Sequence, residues 1–86
     1  MSTKQNVLTE ITNLELMADA VGRRFGKRSP GRNALRRMRT AVNNGNVTKA
    51  RQEMVAAISA FNHSEFKDDL SSNVRSLTYA FRLWAD

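Results

Sequence analysis

The stretch SPGRNALRRMRTAVNNGNVTKARQEMVAAISAFN, residues 29–62, decides the fold. Ser29-Pro30 reads as a helix opening, because serine caps free amides and proline is pre-organised for the first helical position. Behind it Leu35, Met38 and Val42 recur at helical spacing with Ala34 and Ala41 beside them. Asn43-Asn44-Gly45 then stops the helix, glycine being the natural left-handed terminator. Asn46 or Thr48 caps a further helix whose Val47, Ala50, Met54, Ala57, Ile58 and Phe61 share one arc. The pattern predicts helices over 30–43 and 47–62.

Outward from this centre the same periodicity continues. Val7, Ile11, Leu14, Ala18, Val21 and Phe25 form one stripe, opened by a Ser2-to-Gln5 capping box and frayed at Gly22 and Gly26. They predict a first helix over 1–25, and the strength of the stripe favours packing over a separable arm. Asn62-His63-Ser64 breaks the chain again, and Phe66, Leu70, Val74, Leu77, Phe81 and Trp84 predict a last helix over 65–85. Ser71-Ser72-Asn73 is a candidate interruption near its start. No run alternates with period two for long enough to argue a strand. The expected fold is all-α: one domain over residues 1–86, a small bundle of three or four helices with short connections. Its expected core includes Leu14, Val21, Leu35, Met38, Met54, Ile58, Leu77 and Phe81.

Composition agrees with this and narrows function. Leu, Ile, Val and Phe number only 19 of 86 residues, and ten alanines and four methionines raise the apolar share to 41%. That mix suits close-packed helices. There is no cysteine, which excludes disulfide staples, thiolate metal sites and a cysteine nucleophile. A chain this small must therefore fold on helix packing, helped or not by self-association. The longest apolar run, Met54 to Phe61, is too short to span a bilayer, and no signal-peptide pattern opens the chain. A soluble, cytoplasmic protein that does not insert in membranes is expected.

The charges are segregated. The net charge of +6 divides into −2 over residues 1–22, +10 between Asp19 and Glu53, and −2 over residues 52–86. The central +10 comes from Arg23, Arg24, Lys27, Arg28, Arg32, Arg36, Arg37, Arg39, Lys49 and Arg51, with no acid among them. Segregation on this scale implies an anionic partner, and arginine's planar fork suits phosphate and carboxylate. On a helical wheel Arg32, Arg36 and Arg39 fall on one flank of the Leu35–Met38–Val42 stripe and Arg37 on the other, which predicts four outward guanidinium groups. The amides opened by Ser29-Pro30 add a place for an anion to rest. The bland alternative is a solvated arginine face paired with Glu10, Glu15 or Asp19.

Catalysis has little support. His63 is the only histidine, and it stands at a helix break with no carboxylate at ligand spacing. Asp68 and Asp69 are adjacent on a helix and point apart, which suits favourable charge at a helix N-terminus better than a shared metal. No phosphate-cradling glycine loop is present. No catalytic residue, metal or cofactor is assigned, and a non-enzymatic binding module is expected. Its partner is nucleic acid, duplex DNA or structured RNA, met through phosphates, since the basic stretch lacks aromatics for base stacking other than Phe25. The two central helices also have the lengths of a helix-turn-helix.

A second class of function is an adaptor or inhibitor that docks on an acidic protein surface, such as that of a nucleic-acid-processing complex. Leu16, Tyr79 and Leu83 leave their helices' apolar stripes, and with Trp84 they form a candidate protein interface, including one with a second copy.

Overall fold

The computed structural model describes residues 3–21 and 29–86. Among them four helices follow in order: α1 Thr3–Val21, α2 Pro30–Asn43, α3 Val47–Asn62 and α4 Lys67–Ala85. No strand occurs among the described residues, and the structure is a small all-α bundle. No described helix is long and apolar enough to cross a membrane.

Local chemistry sets the boundaries. Ser29 is extended and its Oγ accepts from the Arg32 amide at 3.3 Å, with Pro30 in the first helical turn. At the far end Gly45 takes φ +72, which is costly for any residue with a Cβ. Asn46, rather than Thr48, caps α3, its Oδ1 accepting from the Lys49 amide at 3.1 Å. The last helix begins two residues later than expected. Ser64 forms a turn instead, donating to the Phe61 carbonyl at 2.6 Å and accepting from the Phe66 amide at 3.3 Å. Ser71-Ser72-Asn73 does not interrupt α4, and Ser71 Oγ bonds back to the Asp68 carbonyl at 3.0 Å. Residues 1–2 and 22–28, with the Ser2 end of the capping box and Phe25, lie outside the described residues.

Neighbouring helices run antiparallel, as cross-helix pairs show. Between α2 and α3, Gly31 meets Phe61 and Arg37 meets Glu53. Between α1 and α2, Lys4 reaches the Asn43 carbonyl, Arg39 reaches Thr12 and Arg32 reaches Asp19. Between α3 and α4, the Arg51 guanidinium lies 5.4 Å over the Phe81 ring. The pairs α2–α3 and α1–α4 are the closely packed ones, so the bundle is the α2–α3 hairpin laid against the pair formed by the first and last helices. A DNA-reading helix-turn-helix crosses its helices at about 90–120°. Here α2 and α3 lie side by side from their turn to the Gly31–Phe61 end, an ordinary antiparallel hairpin, which overturns the helix-turn-helix geometry.

All four helices feed one core, with Val7, Ile11, Leu14, Leu35, Met38, Val42, Phe61, Leu70 and Leu77 fully buried. The α1 stripe is part of it, so α1 is packed and not an arm. Val21 and Ile58 are only partly buried at its margin, against the expectation that both are core. Gly31 is required by space: a Cβ there would lie 2.8 Å from Phe61 Cζ.

Two substitutions test this packing. Leu77→Ala should cost about 2–5 kcal/mol in denaturant unfolding, and Ile58→Ala clearly less. Gly31→Ala should also destabilise, by about 1–3 kcal/mol, although alanine favours helix at an open site. A Gly31→Ala protein as stable as the parent would contradict the close approach of Phe61.

Candidate nucleic-acid interface

The central arginines divide into two groups once the helices pack. The flanks of the α2 stripe face neighbouring helices, and each flank meets a carboxylate. On the α1 side Arg32 is 8% exposed, and its Nη1 donates to Asp19 Oδ1 and, at 3.4 Å, to the Glu15 carbonyl. Arg39 donates to both oxygens of Glu15, which is itself buried, and to Thr12 Oγ1 at 3.1 Å. On the α3 side Arg37 Nε donates to Glu53 Oε1 at 3.0 Å, and Lys49 Nζ lies 2.9 Å from Glu53 Oε2.

The expectation of four outward guanidinium groups on α2 is therefore corrected. Arg36 is exposed and Arg37 about half exposed, whereas Arg32 is buried and Arg39 is held against Glu15. The partners on α1 are Glu15 and Asp19 and not Glu10, whose carboxylate accepts from Asn13 at 3.0 Å. Arg32 Nε is buried without a hydrogen bond, 3.8 Å from Glu15 Oε2 and beyond bonding distance.

What stays outward is one-signed. The only carboxylate on α2 or α3 is Glu53, and it is 6% exposed. The exposed surface of the hairpin carries cations, amides, hydroxyls, the His63 imidazole and apolar groups, among them Val55 at 59% exposure, and no carboxylate. Arg36, Arg37, Thr40, Asn43 and Asn44 come from α2 and its cap, and Thr48, Lys49, Arg51 and Gln52 from α3. Arg36 Nη2 donates to Asn33 Oδ1, and neither Arg36 nor Arg51 has a carboxylate partner among the described residues. Near the turn, Arg37, Thr40, Ala41, Asn44, Asn46 and Lys49 line a shallow groove of about 230 Å³. Of the expected binding residues, the structure gathers Arg36, Arg37, Lys49 and Arg51 on the hairpin and withdraws Arg32 and Arg39 into the α1 seam. Arg23, Arg24, Lys27 and Arg28 lie outside the described residues.

Burial also sorts the candidate protein-interface residues. Leu16, Tyr79 and Leu83 are exposed, at 62%, 66% and 51%, whereas Trp84 is only partly exposed and packs edge-on to Phe81 at 5.9 Å. Trp84 thus belongs to the core margin and not to a free apolar surface. Among the described residues no three His, Asp or Glu side chains are grouped as a metal cage requires. Asp68 and Asp69 sit in the first turn of α4, where the helix dipole favours negative charge. His63 closes α3, its Nδ1 2.7 Å from the Ser59 carbonyl.

The residues that composition did not single out are Glu53 and the neutral donors around it. Lys49 and Glu53 at i and i+4 were legible as a pair, but only the hairpin brings Arg37 to the same carboxylate. No family model matches the chain, and no match was found among curated proteins or solved structures.

The Lys49 hydrogen bond, with Arg37 beside it, holds the Glu53 carboxyl below its ordinary value near 4.5 despite the opposing effect of burial. The unfolded chain then binds this proton more tightly than the folded one. Stability from Glu53 is complete above the ordinary value and is lost as pH falls through it toward the lowered one. Glu53→Gln should be less stable than the parent at pH 7, with a shallower loss between about pH 5 and 3. Chemical denaturation across that range reads it, and parallel curves for the two proteins would refute the role of Glu53.

Proposed function

We propose that the protein is a non-enzymatic binding module that contacts the phosphates of duplex DNA or structured RNA through the outward face of the α2–α3 hairpin. One observation carries this reading: the hairpin exposes cations and neutral donors and no carboxylate, its single acid being buried beneath Arg37 and Lys49. Phosphate contacts are made by such groups, with Arg and Lys for charge and Asn, Gln and Thr for position. Among the described residues Arg36 and Arg51 have no carboxylate to give up before meeting a phosphate. No aromatic side chain is exposed on the hairpin, Phe61 being fully buried, so stacking on unpaired bases has no platform there. Recognition then follows charge and shape, without base sequence.

The same face supports a second reading, docking on an acidic protein surface, because Arg37 and Lys49 already clasp a carboxylate. Salt separates the two. Each neutralised duplex phosphate contributes about −0.9 to the slope of log affinity against log salt. Arg36→Gln with Arg37→Gln should weaken binding to all duplex sequences alike and flatten the slope by about two units. Lys67→Gln with Arg82→Gln removes the same charge from exposed positions on α4 and should change affinity much less. Equal loss in both doubles reduces the site to bulk charge. No affinity of the parent for duplex DNA or folded RNA at low salt ends the nucleic-acid reading and leaves the protein partner.

A further inference from the structure

Arg37 and Lys49 come from different helices and share one carboxylate. Glu53 is buried, and it divides its two oxygens between them. Its Oε1 accepts from Arg37 Nε at 3.0 Å, and its Oε2 lies 2.9 Å from Lys49 Nζ. The two cations themselves stay half exposed. A guanidinium bonded only through Nε keeps its two terminal nitrogens for another acceptor, and an ammonium carrying one bond keeps two protons. Among the described residues no acceptor takes either set. Both side chains line the groove of about 230 Å³ at the hairpin turn, together with Thr40, Ala41, Asn44 and Asn46. Asn46 spends its side-chain oxygen on the Lys49 amide, which leaves its NH2 group to donate. The Lys49 hydrogen bond lowers the Glu53 carboxyl, so the acid is ionised at neutral pH. Two cations and one carboxylate then leave a single positive charge beside the groove, the match of one phosphodiester.

We propose that Glu53 is a positioning residue, which sets Arg37 and Lys49 as a two-armed clamp for one backbone phosphate seated in the groove at the α2–α3 turn. The clamp presupposes that the hairpin binds phosphates. It adds where one phosphate sits and why an acid is kept beneath a cationic surface. Pulling Glu53 away from both cations would strand a buried carboxylate, so an arriving anion meets the cations with Glu53 still bonded behind them. Long basic side chains ordinarily lose rotamer freedom when they bind, and here the carboxylate has imposed that loss during folding. Pre-ordering and bulk charge make opposite demands on Glu53. If charge alone draws the nucleic acid, removing this acid tightens binding. If the clamp holds, removing it weakens binding, because glutamine has one acceptor and one donor in place of two acceptors and can seat only one of the two cations.

Binding of the full chain to a short fluorescent DNA duplex, followed by anisotropy across a salt series, tests the sign. Glu53→Gln should bind about threefold to tenfold more weakly than the parent, the cost of ordering one long side chain anew, with a salt slope no steeper. Asp69→Asn removes the same charge from the exposed first turn of α4 and should bind as tightly as the parent or more tightly. Circular dichroism in the binding buffer shows whether Glu53→Gln is folded there. A second measurement needs no variant. Nuclear magnetic resonance of the labelled parent with unlabelled duplex should show the Arg37 Nε–H signal and the side-chain amides of Asn44 and Asn46 shifting together. Duplex binding that leaves those three signals unmoved overturns the clamp. So does a folded Glu53→Gln protein that binds as tightly as the parent or more tightly, and in both cases the wider phosphate reading stands. No binding by the parent at low salt overturns both.

Discussion

Two carboxylates inside the bundle, Glu15 and Glu53, govern how α2 can be placed. The helix carries Arg32 and Arg39 on one flank of its apolar stripe and Arg37 on the other, so burying Leu35, Met38 and Val42 draws guanidinium groups into both seams. A charge taken from water into such a seam is costly unless a counter-ion and hydrogen bonds meet it there. Glu15 with Asp19 meets the first pair and Glu53 meets Arg37, with Lys49 completing the second site. These pairs also define register, because Arg39 bonds both Glu15 oxygens and a slip of one turn would strand a buried charge.

Satisfying the seams sorts the protein's charge. Arg32 and Arg39 are balanced by two acids of α1, whereas on the hairpin Glu53 pairs with Arg37 and Lys49 and leaves Arg36 and Arg51 without a carboxylate among the described residues. The positive field is thus moved from the α1 seam to the outer surface of α2 and α3, where Asn and Thr side chains supply neutral donors beside it. The opposite side of the molecule, between α1 and α4, carries the exposed Tyr79 and Leu83 instead. A cationic polar surface and an apolar one are placed back to back by the same packing.

Much of the fold was legible because its signals are local. Ser29-Pro30 and Asn43-Asn44-Gly45 set the ends of α2 through capping bonds within a few residues, and both central helices keep their expected limits. The start of α4 was less legible, since Ser64 chose a turn over a cap through two bonds of its hydroxyl. Apolar spacing found the core stripe of every helix but could not rank its members. Ile58 and Val21 lie on stripes whose neighbours run out at the bundle margin, and Trp84 was drawn inward by Phe81. The site was less legible still, because a helical wheel shows which side of the apolar stripe a residue occupies and not what lies there.

The sequence by itself determined the helices, their punctuation and the accumulation of ten cations between two acidic ends, because capping, periodicity and composition act over a turn or two of chain. Only the tertiary structure decided which cations remain available. Arg39 and Glu15 are far apart in sequence and adjacent on wheels of different helices, and nothing short of the antiparallel seam between α1 and α2 brings them together. Charge is additive along a chain, but the surface that a partner meets depends on which charges have already found one another across helices.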